Sequence, residues 1–550
     1  MIPVQCTEME HSFKVHFSYD RTAVEHIKTI PGRRFRKDLG NAWLIPKTSQ
    51  RALERFLEWA RGEEPLKAIH HAYGDPLTIY PTRSKGEKPW KHQLAAFRYL
   101  WNRQASLLDL KPGSGKSRIF VDYVVNKPDV KRVLILCPKS FVQGWRAQFE
   151  KHGGSPIVCV CLDDTAGTVS QRVQGGLRTI EEAQRRNLVA VVVVNYDVCW
   201  RDEGGMADFL LDAQFDVVGY DEVQRLRGAQ TRVSKFAHRL GASIPVRIGL
   251  SGTPFPETPM DPFGVCRALD ASVFGTSFHR YESHYAVKGG YGNFKVLYYI
   301  NQNELKAKID TLRFTMEPEG YELPPEQDIV IPLIFPPKIQ KLYKTLASDL
   351  YAKVETGEVT LANAATAFTQ LQRLCSGALP IENVEGEKTL TPIHTLKQDA
   401  LRDLLDSFPP TQSVVVVCRF HYDLSAVHKI ATEVGRVSAE VSGRHGRPPA
   451  HIDGGVWVGS ETVLAVQGSS GVEGLDLTRA HVMCYYSYTL ELGKYEQARA
   501  RIRRAGQSEP CTYYHLVVQS GIDQKIQVLL EKKQHVLKGL LAGERVNGNL

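Results

Sequence analysis

The stretch from Leu107 to Ser117, Leu-Leu-Asp-Leu-Lys-Pro-Gly-Ser-Gly-Lys-Ser, constrains the fold of this chain more than any other. Gly113 and Gly115 permit a tight turn in which consecutive backbone amides, Ser114 among them, converge on a polyphosphate. Lys116 would add a point charge on the β and γ phosphates, and the Ser117 hydroxyl would hold Mg²⁺. The strict pattern has glycine five residues before Gly115, where this chain has Leu110. A short Gly-Ser-Gly-Lys-Ser also occurs in ordinary surface loops, so the context has to separate the two readings. An apolar run precedes the loop, and Ile119, Val121, Tyr123 and Val124 follow with helical spacing. That is the strand, loop and helix order that phosphate binding needs.

Further apolar runs point to a parallel sheet covered on both faces. Val133 to Cys137 ends in a polar turn at Lys139 and Ser140, with Trp145 on the helix that follows; Leu188 to Asn195 is a second run. Phe215 to Tyr220 is a third, and it delivers Asp221 and Glu222 to a strand end. Ligands in such sheets gather at the carboxyl ends of strands. Asp221 would hold Mg²⁺ through its water shell, and Glu222 would orient and deprotonate an attacking water. An isolated Asp-Glu pair is usually surface charge; its place after a buried strand, downstream of a phosphate loop, favours the chemical role. Ser251-Gly252-Thr253-Pro254 follows another strand; its hydroxyls would sense a γ phosphate, or it is an ordinary turn. Upstream of the loop, the Gln93 carboxamide both donates and accepts, which suits the edge of adenine, although most glutamines have no such task.

The second half repeats the layout. Val414 to Cys418 and Val463 to Gln467 are apolar strands, with a helix expected from Leu424 to Val434. Small residues from Gly468 to Leu477 would let backbone approach a nucleic-acid phosphate or the edge of ATP, and Gly474 and Asp476 are placed there as ATP contacts. In Tyr495 to Gln507, Arg501 and Arg504 lie three apart, so one helical face would project both guanidinium groups. They are either an arginine finger for charge developing on a γ phosphate, or part of a basic helix lying on solvent or DNA.

The order of these motifs resembles a SWI/SNF-type motor of helicase superfamily two. The phosphate loop is Gly113 to Ser117, the Asp-Glu box is Asp221 to Gln224, and Ser251 to Pro254 form the third motif. Gly468 to Leu477 have the form of the fifth motif, and the Gln-Ala, paired Arg and Gly-Gln elements of Tyr495 to Gln507 match the sixth, which favours the finger reading. The resemblance covers about residues 85 to 540. It implies an α/β fold of two RecA-like parallel-sheet lobes, ATP and Mg²⁺ as cofactors, and catalysis by Lys116, Asp221, Glu222, Arg501 and Arg504. Gln224, Ser251, Thr253 and Gln497 would couple hydrolysis to movement, and Lys139 and Ser140 would contact DNA. The chain departs from the family where Gln224 replaces a histidine, and where Leu110 and Lys111 replace acidic residues before the loop. Arg444 to Gly459 is rich in Gly, Pro and His where the family has a helix. Val517 to Leu541 resembles the closing brace helix.

Residues up to about 75 are expected to form a small α+β accessory domain, followed by lobe 1 over 76–325 and lobe 2 over 326–550. In the accessory domain Phe13, Val15 and Phe17 alternate as in a strand, and Asn41 to Ile45 read as a second strand with Trp43 inward. Helices are expected over Thr22 to Ile30 and Ser49 to Ala60. The basic run Arg33-Arg34-Phe35-Arg36-Lys37 is either a charge-protected sheet edge or a patch in which Arg34, Arg36 and Lys37 grip phosphates. With Phe35 and Trp43 at its aromatic positions, the segment resembles the HARP-type domain of annealing helicases and the N-terminal module of some phage branch-migration helicases.

Composition sets the outer bounds. The 550 residues are enough for roughly three or four domains of about 150. The net charge of +9 fits a polyanionic partner or a solvated surface. The ten cysteines include no zinc-type Cys-x-x-Cys pair and read as reduced, buried residues of a cytosolic or nuclear protein. The start lacks the pattern of a signal peptide, and the longest apolar run is far too short to span a bilayer. No membrane association is expected. The brevity of the chain leans towards a bacterium or its phage. The leading expectation is a monomeric ATP-driven translocase on duplex, forked or branched DNA, with RNA a lesser partner. A strand-separating helicase on DNA or RNA is the second, and a non-hydrolysing nucleotide-switched clamp the third.

Overall fold

The computed structural model describes residues 3–18, 23, 24, 27, 30, 33–36, 38–47, 53, 54, 56, 57, 60, 79–86, 88–154, 157–163, 166–289, 295–316, 323–355, 361–382, 388–444, 451–453, 455–468, 475–504 and 506–542. The chain divides into two compact units, the first made of Met1–Tyr321 with Val536–Asn549 and the second of Glu322–His535 with Leu550.

The first unit opens with a four-stranded antiparallel sheet of order β1-β2-β4-β3, made of β1 (Val4–Glu8), β2 (Ser12–Phe17), β3 (Arg34–Arg36) and β4 (Ala42–Pro46). Val15, Ile27, Ile45 and Phe56 form its buried core, and Trp43 packs at the margin of that core. The expected strand at Asn41 to Ile45 is thus one residue further on, and β1 had no clear signal, because its side chains are mostly exposed. The helices expected over Thr22 to Ile30 and Ser49 to Ala60 fall largely outside the described residues. This small core also packs against Ala242, and Arg33 donates to Thr276 Oγ1 at 3.4 Å, so the sheet is seated on the rest of the first unit.

The main body of the first unit is a parallel sheet of order β13-β5-β10-β9-β6-β8-β7. Its strands are β5 (Ala105–Asp109), β6 (Arg132–Cys137), β7 (Ile157–Leu162), β8 (Val189–Asn195), β9 (Val217–Asp221), β10 (Val246–Ser251) and β13 (Arg313–Phe314). A separate hairpin pairs β11 (Ala286–Gly289) with β12 (Lys295–Tyr299). Continuous apolar sequence is what a strand buried on both faces requires. Leu134, Leu136, Val192 and Val194 point into one core layer, and Val133, Ile135, Val191 and Val193 into the other. Helices α1 (Lys91–Leu100), α2 (Lys116–Asn126), α3 (Val142–His152) and α4 (Arg232–Ser243) are among those that cover the sheet.

The second unit is built on a parallel sheet of order β14-β23-β22-β17-β21-β18. The strands are β14 (Glu326–Leu333), β17 (Val414–Cys418), β18 (Ser438–Val441), β21 (Val463–Gln467), β22 (Val482–Tyr485) and β23 (Cys511–Val518). Short hairpins pair β15 (Ala378–Glu382) with β16 (Lys388–Pro392), and β19 (Ile452–Asp453) with β20 (Val456–Trp457). The last hairpin lies in the Gly, Pro and His rich segment. Strand β14 lies at a sheet edge that exposes alternate side chains, and so it tolerates charged ones such as Glu326 and Asp328. Helices α5 (Leu396–Asp406), α6 (His421–Glu433), α7 (Leu492–Ile502) and the start of α8 (Ile522–Ala542) belong to this unit, and α6 covers the helix expected from Leu424 to Val434 but for its last residue. The start of α8 is tied to this unit by Lys397, whose buried ammonium lies 2.7 Å from Asp523 and donates to the Tyr486 carbonyl at 2.7 Å. Among the described residues no helix is long and apolar enough to cross a membrane. The two parallel sheets with helices make this the expected α/β fold.

Candidate nucleotide-binding site

Three adjacent strands bring the first unit's motifs together. In register, Asp109 of β5 lies beside Ser251 of β10, and Leu250 of β10 lies beside Asp221 of β9. The loop, the Asp-Glu box and the Ser-Gly-Thr turn therefore leave neighbouring carboxyl ends of one parallel sheet, the edge at which such sheets bind ligands.

The loop has the shape its glycines were expected to give. Gly113 and Gly115 adopt φ of 81° and 82°, a region that disfavours other residues. A Cβ on Gly115 would lie 2.4 Å from Gln93 Nε2. Lys116 starts α2 and turns its ammonium back on the loop, donating to the carbonyls of Leu110 at 2.7 Å and Lys111 at 3.2 Å. Ser114 is buried, and Ser117 is half-exposed in the first turn of α2. Gln93 is buried against this loop: its Nε2 donates to the Ser114 carbonyl at 3.1 Å, while its Oε1 accepts from the Trp90 backbone at 3.0 Å. His92 Nε2 lies 2.8 Å from the same carbonyl. Gln93 thus caps α1 and braces the loop from behind. A contact to adenine would need its carboxamide to be shared or turned.

The acidic groups have sharply different settings. Burial, reinforced by the Glu222 charge, pushes the Asp221 carboxyl up to about 7, against the opposing effects of the Trp145 indole and Lys116. Trp145 Nε1 donates to Asp221 Oδ2 at 3.0 Å, and the Tyr196 hydroxyl donates to the Asp221 carbonyl at 2.7 Å. Glu222 takes a left-handed φ of 48°, an unfavourable geometry for a non-glycine residue and one that recurs at functional sites. From there a chain of hydrogen bonds runs to the neighbouring strand end. Gln224 Nε2 donates to Glu222 Oε2 at 2.7 Å, Ser251 Oγ donates to Gln224 Oε1 at 2.7 Å, and the Thr253 amide donates to Ser251 Oγ at 3.0 Å. A carboxamide can receive at one end and give at the other, and Gln224 does both, linking Glu222 to Ser251. Asp109, at the end of β5, is pushed up to about 6 by burial despite Arg313 at 3.5 Å and the nearby Lys116. Neither Asp109 nor Trp145 carries a signal of such a role in the sequence.

A hydroxyl and a buried carboxylate offer hard oxygen ligands, as Mg²⁺ prefers. The raised Asp221 carboxyl beside Glu222 marks paired acidity that a divalent cation would offset.

In the second unit, α7 ends at Ile502, so Arg501 lies in its last turn and Arg504 beyond it. The expected shared helical face is replaced by convergence on one acceptor. Arg501 Nη1 and Arg504 Nη1 approach the Leu475 carbonyl at 3.4 and 3.3 Å, and Arg504 lies 3.7 Å from Asp476. Gln507 holds the bend by donating to the carbonyls of Thr478, Ala480 and Ile502 at 2.9–3.0 Å. Gln497 is buried within α7, and Gly474 lies outside the described residues. Arg499 and Arg503, on either side of Arg501, are bound to β14. Arg499 pairs with Asp328 and Glu326 and sits 3.7 Å above the Tyr513 ring, and Arg503 pairs with Glu326 at 3.1 Å.

Of the expected DNA contacts, Lys139 and Ser140 are exposed at the end of β6, and Arg34 and Arg36 are exposed on the edge strand β3. Arg36 is already held by Asp38 through two bonds of 2.8 and 2.5 Å. Lys37 lies outside the described residues.

The sheet, the loop and the paired carboxylates define a phosphate-loop α/β protein of the helicase superfamily two type. The SNF2-related domain matches residues 37–378, well over half of the chain. The chain belongs to the SNF2-related family. It is 21% identical over 442 residues to a DNA repair and recombination protein RAD54-like of Gallus gallus, covering 73% of this chain and 58% of that one. It is 22% identical over 434 residues to the DNA repair and recombination protein RDH54 of Saccharomyces cerevisiae, covering 72% of this chain and 43% of that one. The chain therefore spans about half the length of these relatives. A solved Sulfolobus solfataricus SWI2/SNF2 ATPase core in complex with dsDNA aligns over 84% of this chain and 95% of its own, at 16% identity and a TM-score of 0.39.

Proposed function

We propose that this chain is a DNA-stimulated ATPase that translocates on duplex or branched DNA during recombination or repair. The observation that carries the reading is the relay from Glu222 through Gln224 to Ser251, which links the water-activating carboxylate to a neighbouring strand end. The relatives, DNA repair and recombination proteins by name, support the biological setting.

In this reading the turn at Gly113 to Gly115 and the Lys116 ammonium receive the phosphates of ATP, displacing Lys116 from the carbonyls it now binds. Ser117 and Asp221 would hold Mg²⁺, which supplies charge neutralisation at the phosphates. Glu222, fixed through Oε2 by Gln224, orients the attacking water and accepts its proton. Arg501 and Arg504 are supplied from the second unit to neutralise charge on the γ phosphate. Hydrolysis is then tied to a movement between the units, and that movement is converted into steps. Grip on DNA is mainly through phosphates, with Lys139 and Ser140 among the contacts and the N-terminal sheet steering the motor to junctions.

Displacement of a third strand from a DNA triplex tests translocation without strand separation. ATP-dependent displacement, abolished in Lys116→Ala, is expected. Unwinding of a tailed duplex without triplex displacement would replace this reading with a strand-separating helicase.

A further inference from the structure

One open groove of about 660 Å³ in the first unit lies away from the nucleotide loop, between the end of β8 and the outer face of α4. Its floor carries Trp200, whose body packs against the core of the unit. Arg232 lies 5.2 Å and Arg201 5.8 Å from the centroid of that indole. Arg201 is oriented by a bond from its Nε to the Asp197 carbonyl at 3.0 Å. Arg232, Lys235 and Arg239 follow one another along α4 and line the groove. Asp202 and Glu203 also line it, so four cations face two carboxylates. Among the described residues, none of the three α4 cations forms an ion pair with a carboxylate.

Three cations on the outer face of a helix often do nothing more than keep that face solvated. Three features set these apart. Seven residues of helix rise about 10.5 Å, a length over which one DNA strand advances by roughly three nucleotide steps of about 3.4 Å axial rise. The cations border a concave surface rather than a convex one. Finally, the Arg232 guanidinium lies over the Trp200 ring, which holds that cation at the groove.

The place in the fold agrees. Asn195 at the end of β8 pairs with Cys137 at the end of β6, the strand that leads to Lys139 and Ser140. The groove therefore opens on the same sheet edge as that turn. We propose that Arg232, Lys235 and Arg239, with Arg232 seated on Trp200, bind the phosphodiester backbone of nucleic acid, as a contact additional to the motif residues. The proposal rests on the reading of the chain as a DNA motor.

The test is fluorescence anisotropy of a labelled DNA duplex with the full chain, without nucleotide, over a series of salt concentrations. It compares the unaltered protein with the triple variant Arg232→Ala, Lys235→Ala, Arg239→Ala and with Trp200→Ala, each checked for an unchanged thermal unfolding midpoint. The triple variant is expected to bind more weakly, and its plot of log affinity against log salt to be shallower by about 2 to 3, at roughly 0.9 for each phosphate no longer neutralised. Trp200→Ala is expected to weaken binding with little change of slope. A triple variant with unaltered affinity and slope, in a protein that binds DNA, overturns the groove contact alone. If the unaltered protein binds no DNA, the motor reading falls with it. Competition by polyglutamate as strong as by unlabelled DNA, abolished in the triple variant, overturns the proposal in favour of an acidic protein partner.

Discussion

Gln224 donates its carboxamide N–H to the Glu222 carboxylate at 2.7 Å, and the other end of the same carboxamide accepts from Ser251 on the adjoining strand. Removing the amide leaves Glu222 without this constraint and takes away the acceptor of the buried Ser251 hydroxyl. Hydrogen bonds to charged groups contribute about 1.5–3 kcal/mol, so Gln224→Ala is expected to lower kcat by roughly 10- to 100-fold. The KM for ATP should change little, because the phosphate loop is untouched. Steady-state kinetics separate the two, and an unchanged kcat would remove the relay from the mechanism.

Glu222→Gln keeps the size of the side chain but cannot accept the proton. A loss of about 10²- to 10⁴-fold in hydrolysis is expected, with ATP still bound. Equilibrium binding of a fluorescent ATP analogue, measured beside the rate, checks both halves.

The four arginines of the segment following Tyr495 should divide into two pairs. Arg501→Ala and Arg504→Ala are expected to abolish most hydrolysis, by up to about 10³-fold or more for a finger, with a small effect on unfolding. Arg499→Ala should do the reverse. It removes the Asp328 and Glu326 ion pairs and the packing over Tyr513, so the thermal midpoint falls; Arg499→Lys, which cannot keep the planar stack, restores little.

Asp328 also gives a pH signature. Burial would raise its carboxyl, but hydrogen bonds from His515 and Arg499 outweigh that and hold it well below the usual carboxylate range. A carboxylate whose folded pKa is depressed contributes stability above its unfolded value near 4, and that contribution disappears as pH falls further. Urea unfolding should therefore show the destabilisation by Asp328→Asn at neutral pH shrinking below about pH 4. A constant difference across that range would contradict the assignment.

Much of this fold was legible in the sequence because burial on both faces leaves a local mark. Val133 to Cys137, Val189 to Asn195 and Val463 to Gln467 could hardly be anything but interior strands, and the loop glycines announce their own backbone. What escaped depends on partners far away in the chain. Trp145 looks like ordinary helix filling until the fold brings it to Asp221, 76 residues on. Arg499 and Arg503 look like a basic surface until β14 supplies carboxylates more than 170 residues earlier. The spacing of Arg501 and Arg504 suggests one helical face, but the helix ends two residues before Arg504. Strand β1 alternates too weakly to be seen, since it borrows its order from β2.

The measurement that bears most directly on the proposed function is steady-state ATP hydrolysis without nucleic acid and then with single-stranded DNA, duplex DNA, forked DNA and RNA, with Lys116→Ala as the blank. Strong stimulation by duplex or forked DNA, absent in Lys116→Ala, is the predicted result. Stimulation by RNA alone, or a rate that stays at the level of the blank on every substrate, would contradict it.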